Sequence, residues 1–532
     1  MKKLYVIVLF TYLFTNSQSQ TFEWAKREGL WAYDYGYGIA TDNAGNVYAT
    51  GKYEEVNANF SGTLIPCQGN HDTYLAKYSP AGNLEWIRTS GGPLGEYGTS
   101  VAVDVNSVYI AGEIEGYGTT ITFIDAPIPT TLKCMGANDI FLAKYDLSGN
   151  LVWAERAGGV YNEKALGITC DPTGNIYICG FYNDSATFGD SVTVLGRGKN
   201  DIYIAKYDLN GVFQWVRTAG SSQRDEAKSI KCDAQGNIYI CGMYSDGAAF
   251  GSQTLTSPLG YFNSFLAKYA PDGTLLWVKS GGGDYDDVGW SLTIDKADKI
   301  YMSGEYNAYA LFDAMALTTS GLADVFVACY DASGNVQWVR SGGGPGIDRS
   351  RGIGCDGTNI YVTGQFGPTA TFGSFTLTAA DSSDVFFVGM NSNGDFVGAA
   401  SVGGVADSLE TLGYECGNAI CADRNGNVYA TGSLLDGGDF GSTSFGEYGR
   451  TDVFVTKITQ LVGVDNLADN SKETIQVYPN PFAGKLMINN QTKETLSLQI
   501  LDLSGQLVFT KKITNSTESM VDTRNNFCSQ YQ

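Results

Sequence analysis

Short runs of alternating apolar and polar residues, bounded by Gly, Asn and Asp, fill most of this chain, and no long segment has apolar residues at helical spacing. The alternation repeats. Aligned on Tyr48, Tyr109, Tyr177, Tyr239, Tyr301, Tyr361 and Tyr429, the chain shows seven copies of a unit of about sixty residues. Each copy predicts four strands. In the first copy these are Gly36–Ala40, with small residues, then Val47–Thr50, Asp72–Tyr78 and Leu84–Arg88. Tight turns, Asp42–Asn46 and Ser79–Asn83, join the first to the second and the third to the fourth, and a longer insert joins the second to the third. The pattern predicts an all-β chain of four-stranded antiparallel blades.

The two ends of the repeat region carry a further signal. The seventh copy stops at Asp452–Ile458, before its Trp-bearing fourth strand, and Thr21–Lys26 supplies such a strand at the front. A linear stack has no reason to split a unit between its ends. A ring does, because the N-terminal strand then completes the last blade and hides both edges. The expectation is a seven-bladed β-propeller over residues 20–460, closed by its N-terminal strand.

The turn and rim positions fit this reading. An Asp opens the first turn of every copy (Asp42, Asp104, Asp171, Asp233, Asp295, Asp356 and Asp423), where its side chain can cap turn amides. These runs lack the downstream bidentate Glu and the ligand spacing of a calcium loop. Trp86, Trp153, Trp215, Trp277 and Trp338 stand in fourth strands, with Trp24 serving the seventh copy; Gly398 replaces Trp in the sixth, which is expected to pack less well. The Asp-x-x-Gly-x-x-x-Trp spacing is similar to the tryptophan-docking repeats of quinoprotein dehydrogenases, but large aromatics also fill the wedges between blades. Units such as Ile176–Gly180, Asp201–Tyr207 and Gln214–Trp215 resemble the bacterial β-propeller repeat known as SBBP, over roughly residues 21–460. That resemblance implies a fold and almost nothing about activity.

Beyond Ile458 the pattern breaks. Residues 461–473 are expected as a polar linker. Ile475–Phe482 contains Tyr-Pro-Asn-Pro, and Leu496–Val508 contains a strand, Asp-x-x-Gly and a second strand. Residues 474–532 thus resemble the C-terminal sorting domain of the type IX secretion system, a small β-sandwich. The resemblance implies recognition by that secretion machinery, and either release or attachment to the outer-membrane surface of a Gram-negative bacterium. The family's closing turn and strand are expected near Val521, where the chain instead reads Asp522–Gln532, so the domain is expected to be incomplete.

Lys2 and Lys3, the apolar run Leu4–Phe14 and the small residues Ser17 and Ser19 predict a signal peptide at 1–19. Its loss takes the formal net charge from −22 to −24 by removing two lysines. No other stretch predicts a transmembrane helix, and the acidity disfavours nucleic acid as a partner. A monomer is expected.

One constellation rises above architecture. An acid stands in the connection leading into each first strand: Asp34, Glu96, Glu163, Asp225, Asp287, Asp348 and Glu415. Sevenfold repetition is expected to set them around one mouth of the channel, on the same face as the variable inserts. They are candidates for a cation (calcium) or polar-ligand site, or for accepting backbone amides that lock one repeat to the next.

Catalytic constellations are not found. His71 is the one histidine and reads as a solvated loop residue. No Gly-x-Ser-x-Gly elbow, His-Glu-x-x-His run or phosphate loop appears. Cys170, Cys232, Cys355, Cys179 and Cys241 sit where other copies have small or aliphatic residues, which favours packing over bridges; Cys170 with Cys179 and Cys232 with Cys241 lie about two residues out of register. Two functions follow. The first is an exported, non-enzymatic module that binds a protein, glycan or surface component through its loop-rich face. The second is a polysaccharide hydrolase or lyase using acids at the channel mouth. A quinone-cofactor enzyme would need a pocket that the sequence does not reveal.

Overall fold

The computed structural model describes residues 22–461, apart from 30–31, 55–57, 124–129, 190, 258–260, 405–414, 424, 436, 442, 447–449 and 460, and five short strands of the tail. The expected signal peptide and linker residues 462–473 lie outside the described residues. The chain divides into two units, Gln20–Val462 and Met1–Ser19 with Gly463–Gln532. Among the described residues every regular element is a β-strand, and no helix is long and apolar enough to cross a membrane.

The large unit is an all-β propeller. In its first repeat, Tyr35–Thr41, Val47–Tyr53, Asp72–Tyr78 and Leu84–Gly91 pair antiparallel in that order. The turn chemistry explains why the chain reverses where it does. Asp42 Oδ1 accepts the amides of Ala44 and Asn46, both at 2.9 Å, and its Oδ2 accepts Asn46 Nδ2 and the Tyr48 hydroxyl. Gly45 takes the positive φ of 80° that this turn needs. The same bonds recur at Asp171 and Asp233, so these carboxylates are occupied by the turn itself.

The first strands of the repeats are Tyr35–Thr41, Glu96–Val103, Lys164–Cys170, Glu226–Cys232, Val288–Ile294, Arg349–Cys355 and Cys416–Ala422. Each packs against the next, and the last packs against the first. The N-terminal strand Phe22–Glu28 pairs antiparallel with Thr451–Ile458.

Separate four-stranded blades, expected from the sequence, are corrected by the hydrogen bonding. Only two of the large sheets keep four strands; three have six, and one has eight. The cause lies in the inserts. Each folds into a hairpin, and several of these hairpins reach back to the outer strand of the preceding repeat. Thr122 pairs with Gly91, Thr187 with Gly158, Ala249 with Gly220 and Leu311 with Gly282. A buried Phe anchors every hairpin: Phe60, Phe123, Phe188, Phe250, Phe312, Phe372 and Phe440. Burying each such ring contributes roughly 2–3 kcal/mol. The inserts therefore cover strand edges and are largely structural.

The tryptophans tie neighbouring repeats together. Trp24 Nε1 donates to Pro80 O at 3.0 Å, Trp86 Nε1 to Leu147 O at 3.2 Å and Trp338 Nε1 to Ser392 O at 3.2 Å. Each indole lies on a turn glycine of the next repeat; a Cβ on Gly82 would stand 2.6 Å from the Trp24 ring. The sixth repeat was expected to pack poorly at Gly398. Leu461 fills the gap instead: it is 2% exposed, and its carbonyl oxygen would lie 1.9 Å from a Cβ on Gly398. Leu461, expected as the first linker residue, thus packs with the propeller.

In the tail, Ile475–Tyr478, Lys485–Asn490 and Ser519–Asp522 form one small sheet, and Leu496–Leu501 pairs with Leu507–Ile513 as the expected hairpin. Residues after Asp522, where the family's closing segment was expected, lie outside the described residues.

Candidate functional site

The seven repeated acids are all buried, at 0–3% exposure. Their oxygens accept backbone amides from two places: the connection that carries them and the end of the second strand of the same repeat. Asp225 Oδ2 accepts the Ser221 amide at 2.6 Å and its Oδ1 the Ser245 amide at 2.7 Å. Asp287 takes Gly283 at 2.7 Å and Asn307 at 3.0 Å, and Asp348 takes Gly344 at 2.7 Å and Gly367 at 2.9 Å. Glu96 accepts Gly92 at 2.8 Å, Glu163 accepts Gly159 at 2.7 Å, Asp34 accepts Glu54 at 3.0 Å, and Glu415 accepts Gly404 and Leu435, each at 3.2 Å. None of the seven lines the central cavity. The bonds explain the repetition, since the same backbone junction recurs in each copy.

A second set of side chains, not singled out from the sequence, faces them. The third strands carry Asp72, Asp139, Asp201, Asn263, Asp324, Asp384 and Asp452 at equivalent positions. The electrostatics couple the two sets. Burial, then Asp72, pushes Glu96 up to about 8. Burial and Asp139 push Glu163 up to about 7, against the Gly159 amide; burial and Asp324 push Asp348 up to about 6, against the amides of Gly367 and Gly344. These buried acids therefore hold a proton more tightly than free carboxyls do.

The central cavity, about 120 Å3, is lined by residues from all the first strands. A register shift interrupts every one of these strands, between Gly36 and Gly38, Gly98 and Ser100, Ala165 and Gly167, Ala227 and Ser229, Gly289 and Ser291, Ser350 and Gly352, and Gly417 and Ala419. Such a bulge leaves one residue unpaired and re-aims its side chain. The residues so placed are Tyr37, Thr99, Leu166, Lys228, Trp290, Arg351 and Asn418, and all line the cavity. Where the scaffold repeats, this collar does not.

The collar has a cationic, aromatic side. Arg351 Cζ lies 3.7 Å and Lys228 Nζ 4.7 Å from the Trp290 ring centre. Trp290 Nε1 donates to Glu305 Oε1 at 3.3 Å, and Glu226 holds Lys228 at 2.5 Å. Burial lowers the Lys228 ammonium below its ordinary range, against the pull of Glu226. Across the channel, Tyr37 stacks on Tyr35 at 5.8 Å. Lys228, Lys231 and Arg351 line the cavity, and no carboxylate does among the described residues, in a chain of net charge −22.

Two other expectations are corrected here. His71 is not a solvated loop residue. It is 8% exposed and its ring sits 4.4 Å from that of Tyr97, because the third strand begins against the next repeat; burial, then Lys52, lowers its imidazole to about 4. The ten described cysteines are free thiols. Cys170 pairs with Ile176 and Cys179 with Gly167, a three-residue offset and not two.

The fold and sites define an all-β propeller with a sorting tail. Residues 23–52 match the family model described as Beta-propeller repeat (SBBP), and residues 476–526 match the Secretion system C-terminal sorting domain. The chain therefore carries an SBBP β-propeller repeat and a type IX sorting domain, and the latter marks it for secretion or attachment to the cell surface. It is 27% identical over 278 residues to an uncharacterized WD repeat-containing protein of Acanthamoeba polyphaga mimivirus, covering 45% of this chain and 20% of that protein. It is 25% identical over 276 residues to the regulatory protein FlaEY of Caulobacter vibrioides, covering 47% of this chain and 28% of that one. The chain thus spans less than a third of either relative. Similar solved structures include the WD40 β-propeller domain of Doa1 (9% identity, 83% of this chain and 98% of that one, TM-score 0.39). Another is the quinohemoprotein alcohol dehydrogenase of Comamonas testosteroni (11% identity, 86% and 78%, TM-score 0.35).

Proposed function

We propose that this exported propeller is a non-enzymatic binding or adhesion module whose ligand reaches into the channel. Its ring is read as seven repeats, with the N-terminal strand serving as the outer strand of the seventh. The signal peptide is read at 1–19 and the sorting domain from 474. The observation that carries the function is the collar: seven equivalent bulges present seven different residue types. The ligand class follows from Lys228 and Arg351, two cations packed over Trp290 in a cavity lined by no carboxylate among the described residues. With the indole packed under the two cations, that combination suits an acidic glycan whose carboxylates meet the guanidinium and ammonium that Trp290 holds in the channel. Two supports weigh against a hydrolase or lyase acting there. The cavity lining has no carboxylate among the described residues, and the repeated acids are engaged with backbone amides.

The test is calorimetric titration of the full chain with oligogalacturonate and with a neutral oligosaccharide of equal length. Trp290→Ala and Arg351→Ala should each weaken acidic-glycan binding about tenfold or more without shifting the melting temperature. Equal binding of neutral and acidic chains, or unaltered binding by both variants, would count against this reading. Cleavage of the oligosaccharide during the titration would favour the enzyme.

A further inference from the structure

We propose that Asp381, Asp384 and Glu415 form a calcium site at the junction between the sixth and seventh repeats, away from the channel. One oxygen of each lies within 4.8 Å of the others. Asp384 and Glu415 are each 3% exposed. Half of their acceptor atoms are already used: Asp384 Oδ2 accepts the Ala380 amide at 3.1 Å, and Glu415 Oε1 accepts those of Gly404 and Leu435, each at 3.2 Å. The remaining oxygens, Asp384 Oδ1 and Glu415 Oε2, are buried and have no hydrogen-bond partner among the described residues. Two buried, unpartnered carboxylate oxygens beside a third carboxylate make a cluster that a cation would satisfy.

The other repeats supply an internal control. Their junctions hold two facing acids, as in Asp72 with Glu96 or Asp139 with Glu163, which one shared proton can neutralise; in one case Asn263 replaces an acid. Three positions before the third-strand residue, those repeats have Gly69, Gly136, Gly198, Gly260, Gly321 and Gly449. The sixth repeat has Asp381. Glycine is required where the next connection comes close: a Cβ on Gly69 would stand 2.3 Å from Gly92 O, and one on Gly321 2.3 Å from Gly344 O. The sixth junction differs in length: Gly404 to Glu415 spans eleven positions where Gly92 to Glu96 spans four.

A third acid beside a buried pair repels both partners. A divalent cation reverses that balance. The donors are all carboxylate oxygens, with no imidazole or thiolate, which suits a hard ion that tolerates irregular geometry.

The experiment is thermal unfolding of the full, chelator-treated chain with and without calcium at about 5 mM, above the range of extracellular calcium modules. Asp381→Gly restores the residue found in the other six repeats, so the variant should fold and be at least as stable as the parent without metal. Calcium should raise the melting temperature of the parent and of Glu96→Gln, and leave Asp381→Gly unmoved. Asp381→Asn, which keeps the shape and loses the charge, should respond weakly. No calcium response in the parent, or an undiminished response in Asp381→Gly, overturns the site.

Discussion

Substitution Glu96→Gln isolates one buried acid pair. Glu96 has no exposed surface, its Oε2 accepts the Gly92 amide at 2.8 Å, and its Oε1 has no hydrogen-bond partner among the described residues. Burial, then Asp72, raises its carboxyl from 4.5 to about 8. The folded acid therefore holds its proton more tightly than the unfolded one. Its contribution to stability is fully present below about pH 4.5 and is lost as pH rises through about 8. A rise of that size corresponds to roughly 5 kcal/mol between the two limits. Asp72, itself pushed up to about 6 by burial, shares the titration, so one substitution should recover on the order of 3 kcal/mol. Glutamine keeps the acceptor for Gly92 and carries no charge. The variant should match the parent within about 1 kcal/mol at pH 5 and exceed it by about 3 kcal/mol at pH 9. Urea unfolding midpoints at the two pH values measure this. Stability curves that run parallel for parent and variant would refute the pairing.

Because Glu163 and Asp287 are likewise raised, to about 7 and 8 with burial the largest cause, the parent's own urea midpoint should fall between pH 5 and 9. Trp24→Ala removes the indole that reaches from the N-terminal strand to Pro80; a loss of about 3–5 kcal/mol is expected by denaturant unfolding, and a loss under about 1 kcal/mol would mean that the strand does not close the ring. Leu461→Ala should cost about 2–4 kcal/mol, although the sequence alone placed this residue in the linker; unchanged unfolding would show that the Gly398 gap is not filled from there.

Much of the scaffold was readable because it rests on local chemistry repeated many times. Asp42 and its equivalents, the turn glycines and the fourth-strand tryptophans each specify a short-range or next-repeat contact, and each copy repeats the message. The hairpins in the inserts were missed, although a recurring Ala-x-Phe-Gly, as at Ala186–Gly189, Ala248–Gly251 and Ala370–Gly373, was there to find them. A Phe several residues beyond a strand end, as Phe188 is beyond Tyr182, reads as a loop until the pairing of its hairpin is seen. The acids were found, but their roles were not, since sequence order does not say whether a side chain faces the axis or the seam between repeats.

By itself the sequence determined the class of fold, the unit that builds it, the strand supplied from the N-terminus and the sorting tail, because strand alternation, turn residues and motif spacing act over few residues. Tertiary structure decided the rest. Only packing around the axis brings Tyr37, Trp290 and Arg351, from three different repeats, into one collar, and only the bulges aim them there. Only the seam between repeats sets Asp72 against Glu96, or Asp384 against Glu415, in a site dry enough to change how a carboxyl holds its proton.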